Sequence, residues 1–517
     1  MYKSAISFCI LAFLILSSCK TDEPVPTKPV STLVSLSESD YRPAFHFTPP
    51  AHWMNDPNGL VYYAGEYHLF YQYNPNGNTW GTMNWGHTVS SDLFNWEDLP
   101  IALMPDNNGT IFSGSAVVDS INTSGFKVGS ESPLVAIFTS AGTHQTQSIA
   151  YSTDKGRSWS KYDNNPVLPN PGINDFRDPK VSWYAAQNKW VMALAKGNII
   201  GFYSSPDLKS WTFESDFGLN YGAHGGVWEC PDLFQMQVEG TNQKKWVLLV
   251  SINPGGPNGG SATQYFIGDF DGNRFTADQN VTSWVDYGTD NYAGVTYNNI
   301  PTSDGRRIMI GWMSNWNYAG VVATNSWRST MTVPRVVSLV QNSQGYNLRF
   351  NPADELKKYY SQKDTTILQA KNSINLTNNA IIKSGSYDLN LVADFSQTDS
   401  LQLTIGSTVE RLIIVFDKKN GNVTIDRSQS GLTGFYSGFK QKIACPTFTL
   451  GSDQKVDLRM LIDKTSLELF WNHGDNVMTS LFFPKYQYNT LTAKGNGTSP
   501  FIGSFSLHGL TKSIQRN

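Results

Sequence analysis

The sequence predicts an all-β protein, a five-bladed β-propeller followed by a C-terminal β-sandwich, and three observations lead there. Charged residues make up only 16% of the 517-residue chain while aromatics reach 13%, including 15 Trp and 24 Tyr, and broad rings suit pleated strands better than solvated helices. Helical periodicity is nearly absent, and short strand-like runs alternate with turns of Gly, Asn, Asp and Pro. A strand–loop–strand unit also recurs, with closing aromatics 63, 52 and 64 residues apart, the signature of a solenoid or propeller.

From the N-terminus, residues 1–18 read as a signal peptide. Lys3 precedes an apolar run of twelve residues from Ala5 to Leu16, too short for a bilayer-spanning helix, which needs about 20. The ending Leu16-Ser17-Ser18-Cys19 resembles the lipobox of bacterial lipoproteins, in which the cysteine is lipidated and becomes the first residue. An ordinary cleavage site nearby is the plainer alternative. Residues 19–40 form the lipidated N-terminus and a linker, because Thr21 to Ser39 is rich in Pro, Ser and Thr and poor in rings, the composition of a tether. The expectation is an exported lipoprotein, membrane-anchored at the cell envelope through Cys19. The acidic Asp22 and Glu23 that follow point to the outer-membrane surface.

Cys9 leaves with the leader, so Cys230 and Cys445 are the remaining thiols, about two hundred residues apart. One such pair is no disulfide framework, and no Cys/His group has zinc-ligand spacing. No metal and no cofactor are expected. Loss of residues 1–18 removes Lys3 and takes the formal charge from −3 to −4, a balance that offers nothing to nucleic acid.

The propeller is assigned to 41–340. YHLFYQY then TVSSDLFNW closes at Trp96, VAIFTS then IAYSTDKGRSW at Trp159, WVMALAK then IGFYSSPDLKSW at Trp211, and WVLLVSI then YFIGDFDGNRF at Phe275. A weaker fifth unit runs from YAGVTY, at Tyr292 onward, through RIMIGWMSNW. Each blade opens with an apolar strand: LVYY after Asp56, SAVV after Ser113, KVSW after Asp178, DLFQM after Glu229, and GVTY. Opening strands lie innermost in a propeller, so the acids of blades one, three and four face one cavity. From 345 to 517 the pattern changes to longer alternating strands such as YDLNLVADF, RLIIVFD, VDLRMLID and SLELFWN, with turns such as Lys419-Asn420-Gly421. That reads as an antiparallel sandwich. Its acids read as turn and surface residues, with no chemistry assigned.

Asp56, Asp178 and Glu229 are therefore the candidate catalytic groups, since a carboxylate pair held in one pocket is the machinery for cutting glycosidic bonds. Each has a blander reading. Asp56-Pro57-Asn58-Gly59 is good turn chemistry, Asp178 could simply pair with Arg177, and Glu229 could be a solvated loop acid.

Six ordered motifs carry a resemblance to glycoside hydrolase family 32, the invertases, inulinases, levanases and fructan exohydrolases: WMNDPNG (53–59), FSGS (112–115), FRDP (176–179), WECPD (228–232), WMSNW (312–316) and WRSTMTVPR (327–335). LIDKTSLELFWN resembles that family's C-terminal signature. The resemblance implies a retaining hydrolase of β-D-fructofuranosyl linkages in fructans, fructooligosaccharides or sucrose, exo-acting with release of fructose. It implies Asp56 as nucleophile, Glu229 as acid/base and Asp178 as transition-state stabiliser, kept ionised by Arg177. For the sugar it nominates Asn55, Gln72, Trp80, Phe112, Ser113 and Arg177, with Trp53 and Trp316 as further walls. Alternatives on the same scaffold are an endo-acting fructanase and a fructosyltransferase, which differs only in whether water or a sugar takes the fructosyl group. A family 43-like arabinofuranosidase or xylosidase shares the propeller but lacks WMNDPNG and the sandwich, and a non-catalytic glycan-binding lipoprotein is expected to have lost an acid.

Overall fold

The structure, a computed structural model, describes Met1 and residues 33–343, 345–371, 373–497 and 501–511. The leader and Cys19 lie outside the described residues. Five antiparallel blades open with the strands His52–Tyr63, Thr110–Val118, Phe176–Tyr184, Val227–Gln237 and Tyr292–Thr296. These inner strands touch one another in cyclic order, the fifth against the first, so the ring is closed.

The aromatic that ends each repeat has a physical task, because it covers the preceding blade. Trp159 meets Phe70 of the first blade at 5.4 Å, and Phe275 meets Phe217 of the third at 5.0 Å. Such edge-to-face pairs add to the apolar area that holds neighbouring blades together. Closure is also made by backbone. Trp327–Arg328 pairs in parallel with His52 and Trp53, and Val61 bridges Asn298. The Asn298 amide then donates to the carbonyls of Ala116 (2.8 Å) and Val181 (3.1 Å), pinning blades two and three to the same axis.

Two boundaries differ from the sequence reading. Gly345–Pro352 pairs along its whole length with Arg335–Asn342 as the outermost strand of the fifth blade, so the propeller extends past 340 to Pro352 and the sandwich begins at Tyr360. The chain between Met313 and Arg335 is spent on the rim and on the parallel return to blade one, which delays the last two strands of the fifth blade. The described end of the linker is docked rather than free: Leu36 N–H donates to the Lys485 carbonyl (2.8 Å), Gln487 N–H to the Val34 carbonyl (2.8 Å), and the Tyr41 hydroxyl to the Pro484 carbonyl (2.9 Å).

The sandwich has two six-stranded sheets. Alternate residues such as Leu389 and Leu391 from one sheet and Leu401, Leu403 and Ile405 from the other meet in one buried core. Two of its acids, Asp463 and Glu468, correct the sequence reading, because they are buried at the join with the propeller. His46 lies between Asp463 (Nδ1, 2.9 Å) and Glu468 (Nε2, 2.8 Å). Arg335 reaches Glu468 (Nε, 3.0 Å) and Asp286 (2.9 Å), and Arg427 reaches Asp290 (2.9 Å). This ionic seam runs between the two domains.

Candidate active site

All five inner strands slip register near their N-terminal ends, between Met54 and Pro57, Ile111 and Gly114, Arg177 and Lys180, Glu229 and Asp232, and Tyr292 and Val295. A bulge bends its strand and re-aims a side chain. Repeated at one phase, it brings Asp56, Ser113, Asp178, Glu229 and Tyr292 to the axis. The acids thus sit inside the inner strands rather than just before them. Asp178 and Cys230 adopt left-handed backbone, φ 65° and 46°, a conformation that costs a non-glycine residue about 1–3 kcal/mol and clusters at working sites. Gly114 of FSGS has no alternative, since a Cβ there would lie 2.1 Å from the Ile137 carbonyl oxygen.

The three carboxyls are held differently. Asp56 accepts Ser113 Oγ–H on Oδ2 (2.6 Å) and the Asn55 amide on Oδ1 (3.0 Å), so each oxygen is oriented. Asn55 is in turn fixed by Trp53 Nε1–H (2.7 Å). Asp178 accepts the Cys230 N–H on Oδ2 (3.0 Å), while its own N–H donates to Thr139 Oγ1 (3.0 Å). Glu229 receives Arg177 twice on Oε1 (Nε 3.1 Å, Nη2 2.9 Å) and the Tyr292 hydroxyl on Oε2. Arg177 also pairs with Asp175 and stands 4.0 Å from Asp178. Among the three acids it hydrogen-bonds Glu229, and it stands close enough to Asp178 to favour that carboxylate as well.

Electrostatics follow from one cation among these acids. Burial pushes Asp178 up to about 7 against the pull of Arg177, with Glu229 and Asp56 adding to the rise. Burial likewise raises Glu229 above the ordinary glutamate range, although Arg177 and Tyr292 oppose it. The Cys230 thiol, buried and next to all three acids, is driven well up and stays protonated, with Sγ 3.4 Å from Asp56 Oδ2. The Tyr292 phenol is raised in the same way and remains a donor. Among the described residues no group of three or more His, Cys, Asp or Glu could hold a metal ion.

The nominated sugar contacts divide. Asn55 and Ser113 are buried against Asp56, Gln72 is buried, and Arg177 is largely covered. Trp80 is half exposed and stands edge-on to Phe112 at 5.9 Å, a ring pair open to a ligand. Trp53 is only 1% exposed, packed against Trp312 and Trp316. It orients Asn55 instead of forming a wall, which leaves the partly exposed Trp316 at the rim. Sequence reasoning missed Tyr292 and Cys230. Tyr292 had a usable signal, since it occupies in the fifth repeat the phase that the acids occupy in the first, third and fourth.

The family model described as "Glycosyl hydrolases family 32 N-terminal domain" matches residues 46–352, and "Glycosyl hydrolases family 32 C terminal" matches 355–508. The chain is 47% identical to a levanase of Bacillus subtilis (strain 168) over 493 residues, covering 92% of this chain and 72% of that protein. Among solved structures, the exo-inulinase from Aspergillus awamori superposes with a TM-score of 0.85 at 33% identity, covering 92% of this chain and 99% of that one. A fructofuranosidase from Schwanniomyces occidentalis complexed with fructose gives 0.84 at 33% identity, covering 93% and 100%.

Proposed function

The chain belongs to glycoside hydrolase family 32, and from that premise we propose that it is an exo-acting β-fructofuranosidase that releases terminal fructose from fructans, fructooligosaccharides and sucrose with retention of configuration. The observation that carries this is the convergence of Asp56, Asp178 and Glu229 from three inner strands around a single guanidinium.

In the first step an Asp56 oxygen attacks the anomeric carbon, the bond to the departing oxygen breaks, and the Glu229 proton passes to that oxygen. The Asp56 carboxylate is held by Ser113 and Asn55. Glu229 is left ionised, the form that Arg177 and Tyr292 favour by donating to it. In the second step Glu229 takes a proton from water, the water oxygen bonds to the anomeric carbon, and the Asp56 ester bond breaks. Burial raises both Asp178 and Glu229, so both favour their protonated forms. Sugar hydroxyls donating to Asp178 favour its ionised form and leave the proton on Glu229, where the leaving group needs it.

Incubation with levan, inulin and sucrose side by side tests this reading. Fructose without oligomers from levan and inulin, and fructose with an equal amount of glucose from sucrose, are expected, the fructose appearing first as the β-anomer by proton NMR. A ladder of oligomers overturns exo action, and an initial α-anomer overturns retention. We further propose that lipid at Cys19 anchors the enzyme to the cell envelope, the composition of the leader being the support. Among the described residues no helix is long and apolar enough to cross a membrane. Cys19→Ala is expected to move activity from the membrane fraction to the soluble one, and a wild type already soluble in cells refutes the anchor.

A further inference from the structure

The inner strands run from the acid cluster to a second mouth on the opposite face of the propeller. From Glu229 to Gln235 is six residues, about 20 Å of strand. The two mouths do not communicate. Beneath the acids the axis is filled by Lys180, which pairs with Asp232 (3.1 Å) and donates to the Thr296 carbonyl (2.6 Å), and by the Asn298 amide. The space left there, bordered by Asp178, Cys230 and Lys180, is about 10 Å³, room for one water at most.

The far mouth holds a cavity of about 560 Å³, within the range of small-ligand sites. Its walls carry rings fixed from behind. Trp183 is braced by Trp190 at 5.0 Å, while Tyr184 and Trp246 lie 5.8 Å apart and both lean on Phe270, at 5.7 and 5.2 Å. All three remain partly exposed. Between the rings stand planar polar groups: the exposed amide of Gln235, the Asn299 amide tied to the Tyr62 carbonyl (2.8 Å), and Arg307, whose guanidinium lies over Phe234 at 4.8 Å and donates to the Tyr297 carbonyl (3.1 Å). Past Gln235, Asn299 and Arg307 the cavity continues into another of about 780 Å³ between blades four and five.

We propose that this distal mouth is a second, non-catalytic binding site for a fructan chain, an inference that rests on the fructosidase reading above. A furanose residue presents C–H faces that suit preset rings and a hydroxyl edge that suits amides and a guanidinium. The continuation favours a chain over a single sugar. The cavity of about 560 Å³ is lined by no carboxylate, and Asp304 of its continuation is paired with Arg306 (2.6 Å), so the chain held there is not cut. It keeps other chain ends of the same polymer near the pocket and raises their effective concentration.

The test uses the full chain with Trp183→Ala and, separately, Gln235→Ala, whose exposed amide leaves folding undisturbed. Expected is a rise in KM of about threefold to tenfold on polymeric levan or inulin, with kcat on the polymer and turnover of a fructosyl trisaccharide unchanged. Retardation of the inactive Asp56→Asn protein in a native gel containing the polymer should weaken when either change is added. Polymer KM and gel retardation equal to wild type in both variants overturn the proposal. A wild type that hydrolyses neither polymer nor trisaccharide fails the fructosidase reading itself, so the two failures are distinct.

Discussion

Two clusters of buried carboxylates sit in this molecule, one at the axial pocket and one in the seam between the domains, and their protons behave in opposite ways. In the seam, burial alone would raise Asp463 and Glu468, yet both are lowered. Asp463 takes the His46 ring and the N–H groups of Ala44 and Phe45, while Glu468 takes His46, Arg335 and the Val333 N–H. In the pocket, Asp178 and Glu229 are raised with Arg177 as the cation between them. Burial is common to both clusters. The difference is the supply of donors, and it separates a cluster matched by its own chain from one left short of donors, the condition expected of the site proposed above.

The largest expected effects lie in the pocket. Asp56→Asn and Glu229→Gln should each lower kcat by about 10³-fold or more, since each removes one role in a two-step displacement. The melting temperature should hold or rise, because one of three crowded like charges is gone. Initial rates of fructose release and thermal melts read both quantities, and near-normal release by either variant removes the assignment. The seam should answer in reverse. Arg335→Met leaves Glu468 and Asp286 short of a cation in a dry interior, and breaking a buried pair this way costs about 3–5 kcal/mol. Denaturant unfolding should show that loss while kcat of the folded fraction stays at wild type.

This contrast also marks what the sequence could convey. The pocket acids were legible because blades repeat: Asp56, Asp178 and Glu229 recur at one phase, and Trp96, Trp159, Trp211 and Phe275 mark the period. The seam was not legible. His46 and Glu468 are 422 residues apart, and no local pattern tells that the glutamate in the apolar strand SLELFW faces a histidine from the N-terminal segment. The fifth blade was half legible, since its inner strand keeps the repeat while its outer strand, Gly345–Pro352, comes after the excursion that closes the ring. FRDP shows that Arg177 neighbours Asp178 in sequence but not that the bulge turns its hydrogen bonds toward Glu229.

pH separates the clusters next. For His46, burial works against the charge, yet Asp463 and Glu468 raise it to about 9, above its unfolded value near 6.5. Folding therefore takes up a proton there. The stability it contributes, about 3 kcal/mol, is fully present below pH ~6.5 and is lost as pH climbs through about 9. The pocket's cost sets in lower, between the unfolded aspartate value near 4 and the value of about 7 for Asp178. Unfolding free energy measured from pH 4 to 10 should fall in both windows, with His46→Gln flattening the upper one and Asp178→Asn the lower. A single window would mean that the clusters are not independent.

The smallest effect is the finest test, because it removes the same kind of donor from each cluster. The Tyr292 hydroxyl donates to Glu229, and the Thr479 hydroxyl donates to Asp286 at 2.6 Å. Each bond to a charged group is worth about 1.5 kcal/mol. In the seam, Thr479 Oγ1 also accepts from Arg335 Nη2 (2.7 Å), so Thr479→Val should cost at least that much stability and leave the pH–rate profile unmoved. In the pocket, Tyr292→Phe withdraws a bond that favours ionised Glu229, so its carboxyl should rise further. If protonated Glu229 starts the reaction, as proposed above, the descending alkaline limb of kcat/KM should shift to higher pH. Turnover at the optimum should fall about tenfold, because the carboxylate left by proton transfer has lost a donor. A role limited to packing predicts a slower enzyme with its alkaline limb unmoved, and that result would return Tyr292 to the scaffold and leave Arg177 as the group that tunes the acid.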